Sequence, residues 1–312
     1  MNLIKDFETL PTAKIIKIAN KKGIPVPAFN IAYLPMMEPV VKAIVDTNTF
    51  ALIEVARLEW EKFGSVSLEA VMNEYKKWCD PRYMRIHLDH VPVIDEDDRL
   101  VDYISVIKQG IDAGYQSVMV DGSRLNFEEN IKATKAVVAL AHQAGIACEA
   151  ELGAVYGHEE GELPPYDELF ESGGGFTKPD EAAGFVKATN CDWLSVAVGN
   201  IHGNISKLKK DQEKVQAKLD LDHIKTLSQV TGIPLVLHGG SGVQQAYVLQ
   251  AAGKGMTKIN IGTDIRQPYE AMTKSDENLK PAQAAVYEKT RWVIEEYLLI
   301  SGSHHKLEGE LR

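Results

Sequence analysis

Eight short runs rich in apolar and β-branched residues punctuate this 312-residue chain. They are Ile24 to Phe29, Ala51 to Val55, Met84 to Leu88, Ser117 to Val120, Ala147 to Leu152, Trp193 to Val198, Leu235 to Leu237 and Lys258 to Ile261. Between them lie longer segments, such as Met36 to Asp46, Asp102 to Ala113, Asn126 to Ala144 and Pro179 to Thr189, whose apolar residues return every three or four positions. Glycines just beyond such stretches, at Gly114, Gly145, Gly232 and Gly253, read as helix stops. Strand and helix in strict alternation make βαβ units and a parallel sheet. Eight units without a break in composition predict one closed (β/α)8, or TIM, barrel rather than an open sheet. The open Rossmann-type alternative lacks its Gly-x-Gly-x-x-Gly after any strand. The expected domain is single over 1–312, the barrel at about 15–280, and a helix and tail at about 281–312.

Charge narrows the partners. The 44 acidic against 34 basic side chains give a net charge of −10, which disfavours nucleic acid and anionic membrane surfaces. With 45% hydrophobic and 25% charged residues, disordered and collagen-like classes drop out. No apolar run approaches the ~18 residues of a membrane span, and the first residues carry Asp6 and Glu8 without an apolar stretch, so a cytoplasmic protein is expected. Cys79, Cys148 and Cys191 are odd in number and spaced unlike a zinc knuckle, hence reduced packing residues.

Two connections are long. Tyr156 to Thr177, with its Pro164-Pro165 pair and Gly173-Gly174-Gly175 run, has the composition of a hinged lid rather than a helix. Asn204 to Asp220 is Lys-rich and reads as a solvated helix face in preference to a phosphate-steering patch. Helical period returns from Pro281 to Ile300, followed by a polar tail in which His304 and His305 are expected to be disordered.

The chemistry of a (β/α)8 barrel sits at the C-terminal ends of its strands. Here those ends carry His87-Leu88-Asp89-His90, Asp121-Gly122-Ser123, Glu149-Ala150-Glu151, Gly199-Asn200-Ile201-His202-Gly203, His238-Gly239-Gly240-Ser241-Gly242 and Asn260-Ile261-Gly262-Thr263-Asp264. Three imidazoles with an open position suit a borderline metal, and His90, His202 and His238 are the candidates. Asp121 and Glu151 either orient a ligand and hold an alternate metal position, or form a hydrogen-bonded polar layer at the mouth. Gly203, Gly239, Gly240 and Gly242, with Ser241, Asn260 and Thr263, offer close backbone approach and donors for a phosphate after strands seven and eight.

These motifs resemble the class II, metal-dependent fructose-bisphosphate and tagatose-bisphosphate aldolase family. The resemblance runs from Val26-Pro27-Ala28-Phe29-Asn30 through His87 to His90, Ser117 to Ser123, Glu128-Glu129-Asn130 with Thr134, Glu149 to Gly153, Val196 to Gly199 with His202-Gly203, and Leu235 to Gly242, to Lys258 to Asp264. It implies a reversible retro-aldol cleavage of a ketose phosphate or bisphosphate to dihydroxyacetone phosphate and an aldehyde. By this resemblance Asp89 is the catalytic acid/base, and His90, His202 and His238 hold Zn2+ or another divalent metal. Asp121 and Glu151 form the second metal position, and Glu159 removes the donor's proton. Asn30, Gly203, Gly239, Gly240, Ser241, Asn260, Ile261, Gly262 and Thr263 bind substrate and its phosphate, assisted by Na+ or K+, in a homodimer or homotetramer.

The implied chemistry is coherent: a divalent ion on the ketone oxygen acts as a Lewis acid, and a pinned phosphate fixes the reacting carbon. A Schiff-base route needs a lysine in the barrel, and Lys258, read as starting strand eight, is poorly placed for one. The chain departs from the family at Glu54 to Trp60, at Val91, at Gly262 and in the lid. Arg57 is therefore either a contact to the acceptor aldehyde's phosphate or carboxylate, or half of a surface ion pair. Two rival functions are a sugar epimerase on the same metal site and a non-catalytic barrel assisting a partner enzyme; product analysis and metal content separate them from an aldolase.

Overall fold

The computed structural model describes residues 7–153, 166–200, 217–273 and 278–311. Eight parallel strands form a closed barrel in sequence order: β1 Val26–Asn30, β2 Ala51–Ala56, β3 Met84–Pro92, β4 Ser117–Asp121, β5 Ala147–Leu152, β6 Trp193–Val196, β7 Leu235–Leu237 and β8 Met256–Ile261. Closure is made by β1 on β8, with Val26 opposite Lys258 and Ala28 opposite Asn260. All eight expected strands are present. β5 and β7 have the expected bounds, no other strand end shifts by more than four residues, and β8 begins at Met256, which puts Lys258 inside the strand rather than at its start. The helices fall where the apolar period placed them. Asp102 and Asn126 are N-caps, accepting N–H bonds from Ser105 and Glu129. Gly114 and Gly232 end their helices in the left-handed region, whereas Gly253 is right-handed.

Strand residues alternate between two cores. Outward side chains such as Ile53, Ile86, Leu88, Val118 and Leu194 pack against the helices in one large cluster. Inside the lower barrel, Val26, Ala28, Leu52, Ala147, Trp193 and Val236 form a smaller one. That inner layer is plugged from the strands' N-terminal side by Ile15 and Ile16 of the helix Thr12–Lys22, by Phe7 and by Leu307. The C-terminal tail is therefore not disordered as expected. Ser303–Glu308 is helical, and His304, only 5% exposed, packs on Phe7 and Tyr83. Burial of Leu307 and His304 fixes a segment whose composition is polar.

The lid expectation is corrected in part. Tyr166–Ser172 is a helix, anchored by the Tyr166 hydroxyl, which donates toward the carbonyls of Gly199 and Lys218. Residues 154–165, and most of the Lys-rich connection, lie outside the described residues; Lys218 itself pairs with Asp167 at 3.2 Å.

Candidate active site

Above the apolar layer the barrel interior turns polar. Two-residue spacing along β3 puts Arg85, His87 and Asp89 on the inner face, and β2, β5 and β8 add Glu54, Glu149, Glu151, Lys258 and Asn260, all buried. Lys258 Nζ lies 2.9 Å from Glu149, 3.0 Å from Glu54 and 3.4 Å from Asp89. Burial alone would pull its proton off, but Glu149, Glu54 and Asp89 outweigh it and hold the ammonium well above its usual range. Glu149 also accepts from Trp193 Nε1 at 2.6 Å. Glu54 goes the other way: burial, and then repulsion from Asp89, push its carboxyl well up.

Asp89 is the centre of this network. Asn260 donates to both of its oxygens at 3.1 Å and Asn30 donates to Oδ2 at 3.2 Å. Against the cost of burial, Lys258 first and then His90 and His238 hold Asp89 below the usual carboxylate range. A buried carboxylate kept ionised by fixed donors, beside two imidazoles, is poised to exchange a proton with a bound group.

His90 and His238 converge from the ends of β3 and β7, their ring centroids 4.3 Å apart. One ligand atom from each, together with an Asp89 oxygen, falls within a 4.8 Å cluster, and His90, Asp121 and Glu151 form a second. Each ring is oriented from behind. Asp121 Oδ2 is 3.3 Å from His90 Nδ1, while its Oδ1 accepts the N–H and hydroxyl of Ser123. Glu149 Oε1 is 2.8 Å from His238 Nε2, which leaves Nδ1 toward Glu151 Oε2 at 3.0 Å. Burial opposes protonation of both rings, yet the surrounding carboxylates raise His90 to about 9 and His238 to about 10. A pocket with this demand for positive charge, lined by imidazole and carboxylate donors, fits a divalent borderline cation. Glu151 Oε2 is buried and faces both rings, 3.0 Å from His238 Nδ1 and 3.9 Å from His90 Nδ1, where a ligand or near-ligand oxygen would lie.

The loop after β7 closes over the neighbouring strand. An added Cβ at Gly240 would stand 2.7 Å from Ile259 Cγ2 and 3.0 Å from the Asn260 carbonyl, so only glycine lets this backbone lie flat on β8. Tyr297 from the C-terminal helical region pins the loop by donating to the carbonyls of Gly240 (3.1 Å) and Val243 (2.6 Å). Ser241 meets the first turn of the helix Thr263–Thr273, its hydroxyl accepting the Asp264 N–H at 3.4 Å. The hydroxyl thereby ties the loop to the helix N-terminus, the kind of backbone position that can meet an anion.

Most of the residues singled out in the sequence thus meet at one mouth. Asn30 and Asn260 face Asp89, Gly262 adjoins Asn30, and Ile261 turns its side chain into the outer core, leaving only its backbone to the site. Arg57 is engaged elsewhere, 3.4 Å from Asp95 and 3.6 Å from Glu61. Glu159, His202 and Gly203 lie outside the described residues. The interior set Glu54, His87, Glu149 and Lys258 was not singled out as a network. Its signal is charged residues in mid-strand, at alternate positions of otherwise apolar runs.

A closed parallel barrel that gathers imidazoles, carboxylates and a glycine-rich loop at its C-terminal mouth defines a metal-dependent barrel enzyme. The chain belongs to the class-II fructose-bisphosphate aldolase family, whose model it matches over residues 10–306. A fructose-bisphosphate aldolase of Giardia intestinalis is 32% identical over 276 residues, 80% of this chain and 76% of the relative. The YdjI aldolase of Escherichia coli K12 superposes with a TM-score of 0.72 at 26% identity, over 94% of this chain and 98% of the other. A putative fructose-1,6-biphosphate aldolase from Coccidioides immitis shares the fold, with a TM-score of 0.74 at 23% identity over 96% and 99% of the two chains. The enzyme is a metal-dependent aldolase, a carbon–carbon lyase. No helix among the described residues is long and apolar enough to cross a membrane.

Proposed function

We propose that the metal is zinc, held by His90, His238 and His202, and that the enzyme cleaves a ketose phosphate reversibly to dihydroxyacetone phosphate and an aldehyde. The observation that carries this reading is Asp89, kept ionised by Asn30, Asn260 and Lys258 next to the paired rings of His90 and His238. The bound cation would polarise the ketone oxygen and so acidify the adjacent carbon. Everything else falls to the protein. Gly239, Gly240, Ser241 and the backbone at 260–263, with Gly203 and a sodium or potassium ion, hold the donor phosphate and fix the reacting carbon. Glu159 takes the donor's proton. Asp89 Oδ removes the proton of the C4 hydroxyl in cleavage and returns it to the aldehyde oxygen in condensation. Lys258 takes no covalent part, because an amine held protonated by three carboxylates is no nucleophile.

The free state of Cys79, Cys148 and Cys191 supports a cytoplasmic setting, and the family resemblance supports a homodimer or homotetramer. The test is release of dihydroxyacetone phosphate from a panel of ketose 1-phosphates and 1,6-bisphosphates. Chelation is expected to abolish it and added zinc to restore it. Activity that survives both metal stripping and His202→Ala overturns the assignment. Loss of donor proton exchange in Glu159→Ala is expected, and exchange at the parental rate removes Glu159 from its role.

A further inference from the structure

Asp89 must serve the aldehyde's oxygen, so the acceptor half of the substrate lies over the ends of β2 and β3, away from the β7–β8 phosphate loop. On that side the chain places a carboxyl group. In the sheet Ala56 stands in register with Asp89. The helix Arg57–Lys62 starts immediately after Ala56, and its third residue, Glu59, folds back to accept the Ala56 N–H. The Glu59 carboxyl is therefore fastened to the backbone position beside Asp89, among a set of donors and charges already anionic.

Three cations of this rim are committed. Arg57 is held by Asp95 and Glu61, and Lys62 lies 2.7 Å from Glu96 and 3.4 Å from Asp97. Arg124 is bound by Asp98 and the Asp95 carbonyl. The acidic run Asp95 to Asp98 thus neutralises each of them, and Asp95 itself is fixed by the N–H groups of Asp97 and Arg99. A phosphate dianion on the acceptor would compete with these pairs while facing Glu59 and Asp89, whereas hydroxyl groups would find acceptors in both.

Resting on the aldolase reading above, we propose that Glu59 is a specificity residue for the acceptor, and that it selects an uncharged polyhydroxy aldehyde over an aldehyde phosphate. The substrate class is then the ketose 1-phosphates in preference to the 1,6-bisphosphates.

The experiment compares kcat/KM for matched ketose 1-phosphates and 1,6-bisphosphates in the zinc-loaded enzyme, with donor proton exchange measured alongside. The parent is expected to favour 1-phosphates by about tenfold or more, the scale of one adverse charge–charge contact in a partly buried site. Glu59→Gln, which keeps the oxygen that caps Ala56, is expected to reduce that ratio severalfold by lowering KM for the bisphosphates. Asp95→Asn loosens Arg57 without touching Glu59 and is expected to move the ratio the same way. A parent that prefers bisphosphates, or a ratio unchanged in both variants, overturns the proposal while leaving the aldolase reading intact. Absence of exchange and of any cleavage overturns both.

Discussion

Glu149 joins His238 to Lys258: one of its oxygens lies 2.8 Å from the ring's Nε2 and the other 2.9 Å from the ammonium. The carboxylate so anchored orients the ring, with Nε2 toward Glu149 and Nδ1 toward Glu151 and the mouth of the barrel. Glu149→Gln is expected to weaken zinc binding about 10–100-fold, the usual effect of losing a ligand's carboxylate partner. Competition with a chromophoric chelator measures it; unchanged affinity would show that the ring is oriented by something else.

Lys258 is the cation that makes the interior of the barrel tolerable. Lys258→Met preserves bulk but removes the buried ammonium that Glu54, Asp89 and Glu149 share, so a loss of roughly 3–5 kcal/mol in urea unfolding is expected. The same pairing forbids a Schiff base. Borohydride with dihydroxyacetone phosphate should leave the parent active, and a trapped covalent adduct on Lys258 would contradict the mechanism.

His304 sits between Phe7 and Tyr83 with both ring nitrogens buried and unbonded, and burial lowers its affinity for a proton below the ordinary histidine range. As pH falls below about 6.5 the unfolded chain takes up a proton there that the folded chain resists, so stability falls on the acid side. His304→Leu should lose that contribution, giving a smaller drop in Tm between pH 7.5 and pH 5.5 than the parent shows. An equal drop in the two proteins would place the acid sensitivity elsewhere.

Gly240 is where backbone replaces side chain in the loop after β7. In Gly240→Ala the new methyl must displace Ile259 or the Asn260 carbonyl, and with it the neighbour of Asp89. A fall of about 10–100-fold in kcat/KM is expected, because ångström-scale misplacement of a reacting group costs that much. Steady-state kinetics on the preferred ketose phosphate decides it, and parental kinetics would show that the loop has room the distances deny.

How far the sequence could be read depends on whether a feature is local. The strands, their order and the caps at Asp102 and Asn126 follow from periodicity within a dozen residues. The motifs at the ends of β3, β5 and β7 were legible because a barrel sends every strand end to the same face. The tail was misread because its composition is polar, and only the apolar bottom of the barrel supplies the contacts that order Leu307 and His304.

The linear chain determined that eight βα units would close and which residue types would ring the mouth. Tertiary structure alone decided what those residues do to one another. Asp89 meets Asn260 across 171 positions, Lys258 becomes the hub of three carboxylates, and Glu59 comes to rest beside Asp89 by the register of β2 on β3. Periodicity records which face of its own strand a side chain occupies. Its partner, its charge state and its chemistry are set by what the other strands bring to the same few ångströms, where water is excluded and electrostatic interactions are strongest.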